Sequence, residues 1–169
     1  ERVAPDRIFH LAAQSFVPSS WNAPAESLTT NILGQLNVFE AVRAMKTDPW
    51  IQVACSSEEY GMVYENELPI KETNPLRPLS PYAASKKAAE TLLYSYHHLH
   101  GLDTTVLRYF TVYGPAGRPE MSIFRFIRSI TEGEPITVFG DGTQQRDFTY
   151  VDDVARGTVA AIRPLGYET

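Results

Sequence analysis

Trp50-Ile51-Gln52-Val53-Ala54-Cys55, followed by Ser56-Ser57-Glu58-Glu59-Tyr60-Gly61, is the stretch from which the fold is read. The first six residues are short and apolar enough for a buried strand. The next six end it abruptly in small polar and acidic side chains. Upstream, Arg7 to Ala12 is a second strand, leading into a polar and bulky turn from Gln14 to Trp21. Between the two strands, Leu28, Ile32, Leu36, Phe39 and Val42 recur at helical spacing and predict one helix over Pro24 to Ala44. Gly34 weakens that helix locally, by roughly 1 kcal/mol relative to Ala.

Downstream, prolines and glutamates make residues 62–80 an exposed loop. Ser80 is a good N-cap and Pro81 a good first residue for a helix running to Gly101, with Ala84, Ala88, Leu92, Tyr96 and Leu99 on its apolar side. Thr104 to Phe110 is a third strand, running into the turn Tyr113-Gly114-Pro115. Ser122 to Glu132 reads as a helix, Ile136 to Phe139 and Phe148 to Val151 as short strands either side of Gly140-Asp141-Gly142, and Asp152 to Ile162 as a last helix. This alternation predicts an α/β fold, a parallel sheet covered by helices. Ligands of such sheets bind beyond the carboxyl ends of the strands. One crevice is therefore expected at residues 12–15, 56–58, 110–113 and the start of the Ser80 helix.

Tyr82 and Lys86 lie four residues apart near that helix start, so they share one face. A phenol there is favoured as an anion by the helix N-terminus and by a nearby ammonium, which makes Tyr82 a candidate general acid/base and Lys86 its tuner. The spacing is short and common, and taken alone it equally describes a packed tyrosine and a solvated lysine.

The 169 residues, 43% apolar with net charge -5, are those of a soluble globular protein, and basic residues neither dominate nor cluster as in a nucleic-acid binder. Cys55 is the sole cysteine, which suits a reducing compartment. No apolar run is long enough to span a membrane, so a cytoplasmic location and no membrane partner are expected. His10 is expected to pack near a strand, and His97, His98 and His100 crowd one helix end, so no metal site is expected.

Four blocks in order, H-L-A-A (10–13), S-S-E-E-Y-G (56–61), S-P-Y-A-A-S-K (80–86) and R-D-F-T-Y-V-D-D (146–153), resemble the extended short-chain dehydrogenase/reductases, specifically the NAD-dependent epimerases and dehydratases of nucleotide sugars. The resemblance implies a Rossmann-like doubly wound sheet lacking its first strands, over residues 1–113, plus part of a small nucleotide-sugar-binding region over residues 114–169. It implies NAD, or NADP, as cofactor, held by Leu11, Ala12, Ala13, Asn31, Tyr82, Lys86, Tyr109, Phe110 and Val112. Tyr82, Lys86, Ser56, Ser57 and Glu58 are the implied catalytic set. Ser56, Thr111, Arg118 and Arg146 are the implied substrate contacts, the arginines suiting a diphosphate. A homodimer is implied for the full-length enzyme.

The two halves resemble different branches. Glu58, at the end of the strand-end block, matches the acid/base glutamate of GDP-mannose 4,6-dehydratases, and the main expectation is a dehydratase of that type. Phe110 to Pro115 and Gly117 to Met121 look instead like UDP-glucuronate 4-epimerases, so a UDP-sugar 4-epimerase (UDP-glucuronate or UDP-glucose type) is the alternative. The family's G-x-x-G-x-x-G cofactor loop is absent from these residues. The sequence thus resembles a central piece of a longer enzyme, and the rival expectation is a non-catalytic fragment or binding module.

Overall fold

The computed structural model describes residues 3–45 and 47–162. The chain divides into two compact units, one reaching to Tyr109 and resuming at Ala160, the other spanning Phe110–Val159.

In the first unit β1 (Arg7–His10), β2 (Trp50–Ser56) and β3 (Thr104–Tyr109) form a parallel sheet in that order. Ile8 stands beside Ile51, and Val53 lies between His10 and Val106. Alternate residues of a strand share a face, so Ile51, Val53 and Cys55 point together into the core. There they meet Phe39 and Val42 of α3 (Gly34–Arg43), Leu93 of α4 (Pro81–His100), and Leu102. Phe39 and Ile51 are wholly buried, each contributing roughly 1.5–3 kcal/mol by leaving water.

Several sequence expectations need correction. The first strand stops at His10, two residues short of the expected end. The expected turn after it contains a short helix, α1 (Val17–Asn22), which Pro18 helps to start. The single helix expected over 24–44 is α2 (Pro24–Leu28), a π-helical turn over Thr29–Leu33, and α3. The buried face in its first half is consequently polar. Ser27, Asn31 and Gln35 point inward, while Leu28 stays 39% exposed. On α4 the buried stripe is Tyr82, Ser85, Lys86, Ala89 and Leu93, one position away from the expected apolar set, and Leu99 is exposed. The helix ends where expected, with Ser80 Oγ accepting from Ala83 N at 3.0 Å and Gly101 left-handed at φ 69°.

The second unit holds β4 (Thr111–Tyr113), α5 (Ser122–Glu132), β5 (Phe148–Tyr150) and α6 (Val151–Ala160). β4 and β5 pair in parallel, placing Tyr113 beside Tyr150 with ring centroids 5.5 Å apart. Tyr113, expected in a turn, thus ends a strand. The expected strand at 136–139 does not form. Its apolar residues have no sheet face to pack on, and Val138 and Phe139 are exposed, which removes the context that makes β-branched and aromatic residues favour strands. Among the described residues, no helix is long and apolar enough to cross a membrane.

Candidate functional site

Ser56 is the last residue of β2 and is 8% exposed. A single 3₁₀ turn, Ser57–Glu59, follows it and is closed from both sides. Glu58 N donates to Ser56 Oγ at 3.2 Å, and Ser56 N donates to Glu59 Oε1 at 3.0 Å. Ser57 is half-buried and Glu58 exposed. Tyr109, at the end of β3, is the register partner of Ser56.

α4 packs against β2 and this turn. Lys86 Nζ donates to Ala54 O at 2.9 Å, and Cys55 Sγ donates to Lys86 O at 3.7 Å, which ties the helix to the last turns of the strand. Burial lowers the Lys86 pKa from the usual lysine value, with Glu59 pulling the other way. Tyr82, one turn earlier on the helix, is buried at 8% exposure. Burial, and then the Lys86 charge, lower the pKa of His10, on the core face of the sheet.

Asn31 joins this arrangement to the end of β1. It lies in the π-helical turn, 3% exposed, and such turns recur at functional sites. Its Oδ1 accepts from Gln14 N at 2.8 Å, while Nδ2 donates to Gln14 O at 3.1 Å and to Ser85 Oγ at 2.8 Å. Ser85 Oγ in turn donates to Tyr82 O at 2.6 Å. Gln14 is further held by Ser19 and Ser27. Leu11 and Ala12 are exposed and Ala13 half-buried just beyond the strand. The first unit therefore gathers Leu11 to Ala13, Asn31, Ser56 to Glu58, Tyr82, Lys86 and Tyr109 around β1, β2, β3 and the start of α4.

The remaining expected site residues belong to the second unit. Phe110, Thr111 and Val112 are half-buried. Arg118 is exposed, 3.2 Å from Glu120, and Arg146 is exposed, donating to Gln145 O at 2.7 Å. Thr111, Arg118, Met121, Phe148 and Tyr150 line an open, largely apolar hollow.

Sequence reasoning missed a buried ionic group behind Ser56. Glu59 is wholly inaccessible. Burial raises its carboxyl to about 7, opposed by the Ser56 amide and reinforced by Glu90. Glu90 is gripped at both oxygens by Arg108, whose Nε lies 3.0 Å from Oε2. Arg108 Nη1 also donates to Tyr60 Oη and Glu72 O, both at 2.9 Å. The signal for Glu59 was present: serine followed three residues later by glutamate is a capping-box pattern. No spacing rule links Glu90 to Arg108, because a helix and the next strand bring them together. Cys55, Glu59 and Glu90 place donor atoms within 4.8 Å of one another. Arg108 already occupies both Glu90 oxygens, so a cation there would face a guanidinium.

Comparison with known proteins agrees with this architecture. A UDP-glucuronate 4-epimerase of Thermodesulfobacterium geofontis is 52% identical over 163 residues, covering 95% of this chain and 49% of that protein. UDP-glucuronate 4-epimerase 1 of Arabidopsis thaliana is 40% identical, over 99% of this chain and 39% of its own length. Among solved structures, the UDP-glucuronic acid 4-epimerase of Bacillus cereus, in complex with UDP-glucuronic acid and NAD, superposes with a TM-score of 0.87 at 41% identity, covering 94% of this chain and 49% of that one. The chain thus spans half or less of the length of these relatives. The model of the NAD dependent epimerase/dehydratase family matches residues 1–166, and the chain belongs to that family.

Proposed function

We propose that the protein carrying this chain is a UDP-glucuronate 4-epimerase whose proton-handling residues are Tyr82, Lys86 and Ser56. The observation that carries the reading is the 52% identity, over 95% of the chain, to an epimerase of that name. The GDP-mannose 4,6-dehydratase expectation gives way to its alternative, since these relatives are UDP-glucuronate 4-epimerases along both halves. The resemblance of the 110–121 blocks supports this substrate, where Glu58 pointed to the dehydratase.

The first unit suits NAD on two counts. Leu11 to Ala13 offer a backbone flanked by two methyl side chains beyond a parallel strand, and Lys86 gives Ala54 O one of its three N–H donors. NAD, when bound, supplies reversible oxidation at the sugar C4. Tyr82 removes the O4 proton and returns it once the ring has presented its other face. Lys86, a buried cation one turn along the same helix, favours the phenolate, as does the helix N-terminus. Ser56 holds O4 through its hydroxyl. Asn31 and Ser85 keep the β1 turn registered with the first turn of α4. Thr111, Arg118 and Arg146 are assigned to the nucleotide diphosphate and sugar, with residues 114–169 as the substrate-binding part. The homodimer implied by the family would cover exposed apolar positions of α4 such as Tyr94.

The test uses the full-length protein with NAD and, separately, UDP-glucuronate and GDP-mannose, followed by NMR and mass spectrometry. The expected product is the C4 epimer of UDP-glucuronate at unchanged mass. Water loss from GDP-mannose, without epimerisation of UDP-glucuronate, overturns the proposal and restores the dehydratase in which Glu58 acts on C5.

A further inference from the structure

We propose that Glu59 is a positioning residue: as a neutral acid wedged between β2 and α4, it fixes the Ser56 backbone amide and thereby the hydroxyl offered to the sugar. The role of Ser56 rests on the proposed epimerase reading; the state of Glu59 does not.

The geometry makes the neutral form the favourable one. Glu59 Oε1 takes the Ser56 N–H at 3.0 Å. Oε2 is buried and meets no hydrogen-bond donor among the described residues. Cys55 Sγ and a Glu90 oxygen lie within 4.8 Å of the Glu59 carboxyl. An ionised Glu59 would therefore hold an unsolvated oxygen beside a second carboxylate. A proton on Oε2 turns that contact into an acid facing a carboxylate. The proton belongs on Glu59, because Arg108 holds both oxygens of Glu90 in the ionised form.

The charged and titratable groups around Glu59 act as follows. From β2, Cys55 is a buried thiol whose own pKa burial raises well above the ordinary value and whose weak S–H donation favours the ionised Glu59, against burial and Glu90. From α4, Glu90 repels an ionised Glu59, while Lys86 attracts it but is bonded to Ala54 O. From β3, Arg108 is committed to Glu90 and to Tyr60, its charge held above the usual guanidinium pKa by those hydrogen bonds against the effect of burial. The balance raises the Glu59 carboxyl to about 7. Below that pH the acid is intact and Ser56 is held. As pH rises through it, Glu59 and Glu90 become like charges that push the two side chains apart, while the bond from Ser56 N to Oε1 becomes charge-assisted, so the setting of the Ser56 amide changes.

The Ser56 amide is the direct reporter. In ¹⁵N-labelled full-length protein with NAD, its signal should move through a transition centred near pH 7. In E59Q, which keeps an acceptor for Ser56 N and a donor toward Glu90 but cannot titrate, the signal should stay flat. With UDP-glucuronate, the ratio of wild-type kcat to that of E59Q should change several-fold across the same transition, with KM unchanged. An amide that titrates alike in both proteins overturns the proposal, as does superimposable kcat behaviour. Should E59Q fail to fold, the infrared band of a protonated carboxyl in wild type reads the same proton, and its absence at mildly acidic pH overturns the proposal. If wild type turns over no UDP-glucuronate, the epimerase reading falls, while the amide titration still decides the state of Glu59.

Discussion

The carboxyl edge of the three-stranded sheet and the segment from Thr111 to Tyr150 hold their polar residues in opposite ways. In the first, Asn31, Ser56, Glu59 and Lys86 are each at most 8% exposed, and every one is hydrogen-bonded to main chain. In the second, Arg118 and Arg146 stand in solvent, and α5 buries no residue. Desolvation sets the scale of each interaction, since a charge taken out of water costs several kcal/mol unless it is paired. The first region fixes its chemistry by local packing, and substitutions there should be expensive. The second presents solvated groups, and substitutions there should be mild.

The sharpest test is Arg108→Ala. The side chain is only 13% exposed, and its loss leaves Glu90 beside Glu59 with no guanidinium between the strand and helix. Removing one partner of such a pair typically costs about 3–5 kcal/mol. Chemical denaturation should show a loss of that order, and a loss as small as a surface substitution would break the contrast.

Two glycines sharpen it next. Gly61 closes the strand-end block at φ 63°, where an added Cβ would come 1.9 Å from the main-chain oxygen of Arg77. Gly133 caps α5 at φ 70° with nothing within 4 Å of the same Cβ. Gly133→Ala should therefore cost only the left-handed backbone penalty, roughly 1–2 kcal/mol. Gly61→Ala adds a clash with main chain that no rotamer relieves and should cost about 3 kcal/mol or more. Equal midpoint shifts for the two variants would mean that the 56–61 turn yields as easily as an open helix end.

The same contrast explains what could be read from the sequence. β2, β3, α4 and α5 were legible because each carries its own local rule: a short apolar run, a Ser-Pro start, a glycine stop. The parallel sheet follows from their order. What was not legible depends on neighbours. Asn31 and Gln35 face inward because a π-helical turn shifts the helix face and α4 supplies partners, Ser85 Oγ at 2.8 Å and Ala89 O at 2.7 Å. Ile136 to Phe139 has a strand-like composition but no sheet to join. Tyr82, Lys86 and Ser56 were singled out by spacing and resemblance. Glu59, Glu90 and Arg108 could not be assembled that way, because a strand-end turn, a helix and a strand meet there only in the fold.

The smallest effect is expected at the ion pair of the second unit. Arg128 Nε lies 3.0 Å from Glu132 Oε1 across one turn of α5, with side chains 67% and 50% exposed. Exposed pairs at this spacing contribute only about 0.3–0.5 kcal/mol, and salt screens them. Here the order is also the weaker one, with the acid on the C-terminal side, close to the negative end of the helix dipole. Arg128→Ala should therefore shift the denaturation midpoint barely at all, and 1 M salt should remove what shift there is. Glu132→Ala should be neutral or slightly stabilising, because loss of the pair is offset by relief of the dipole. A cost for Arg128→Ala near that of Arg108→Ala would show that burial, which separates the two arginines, does not set the scale of their ion pairs.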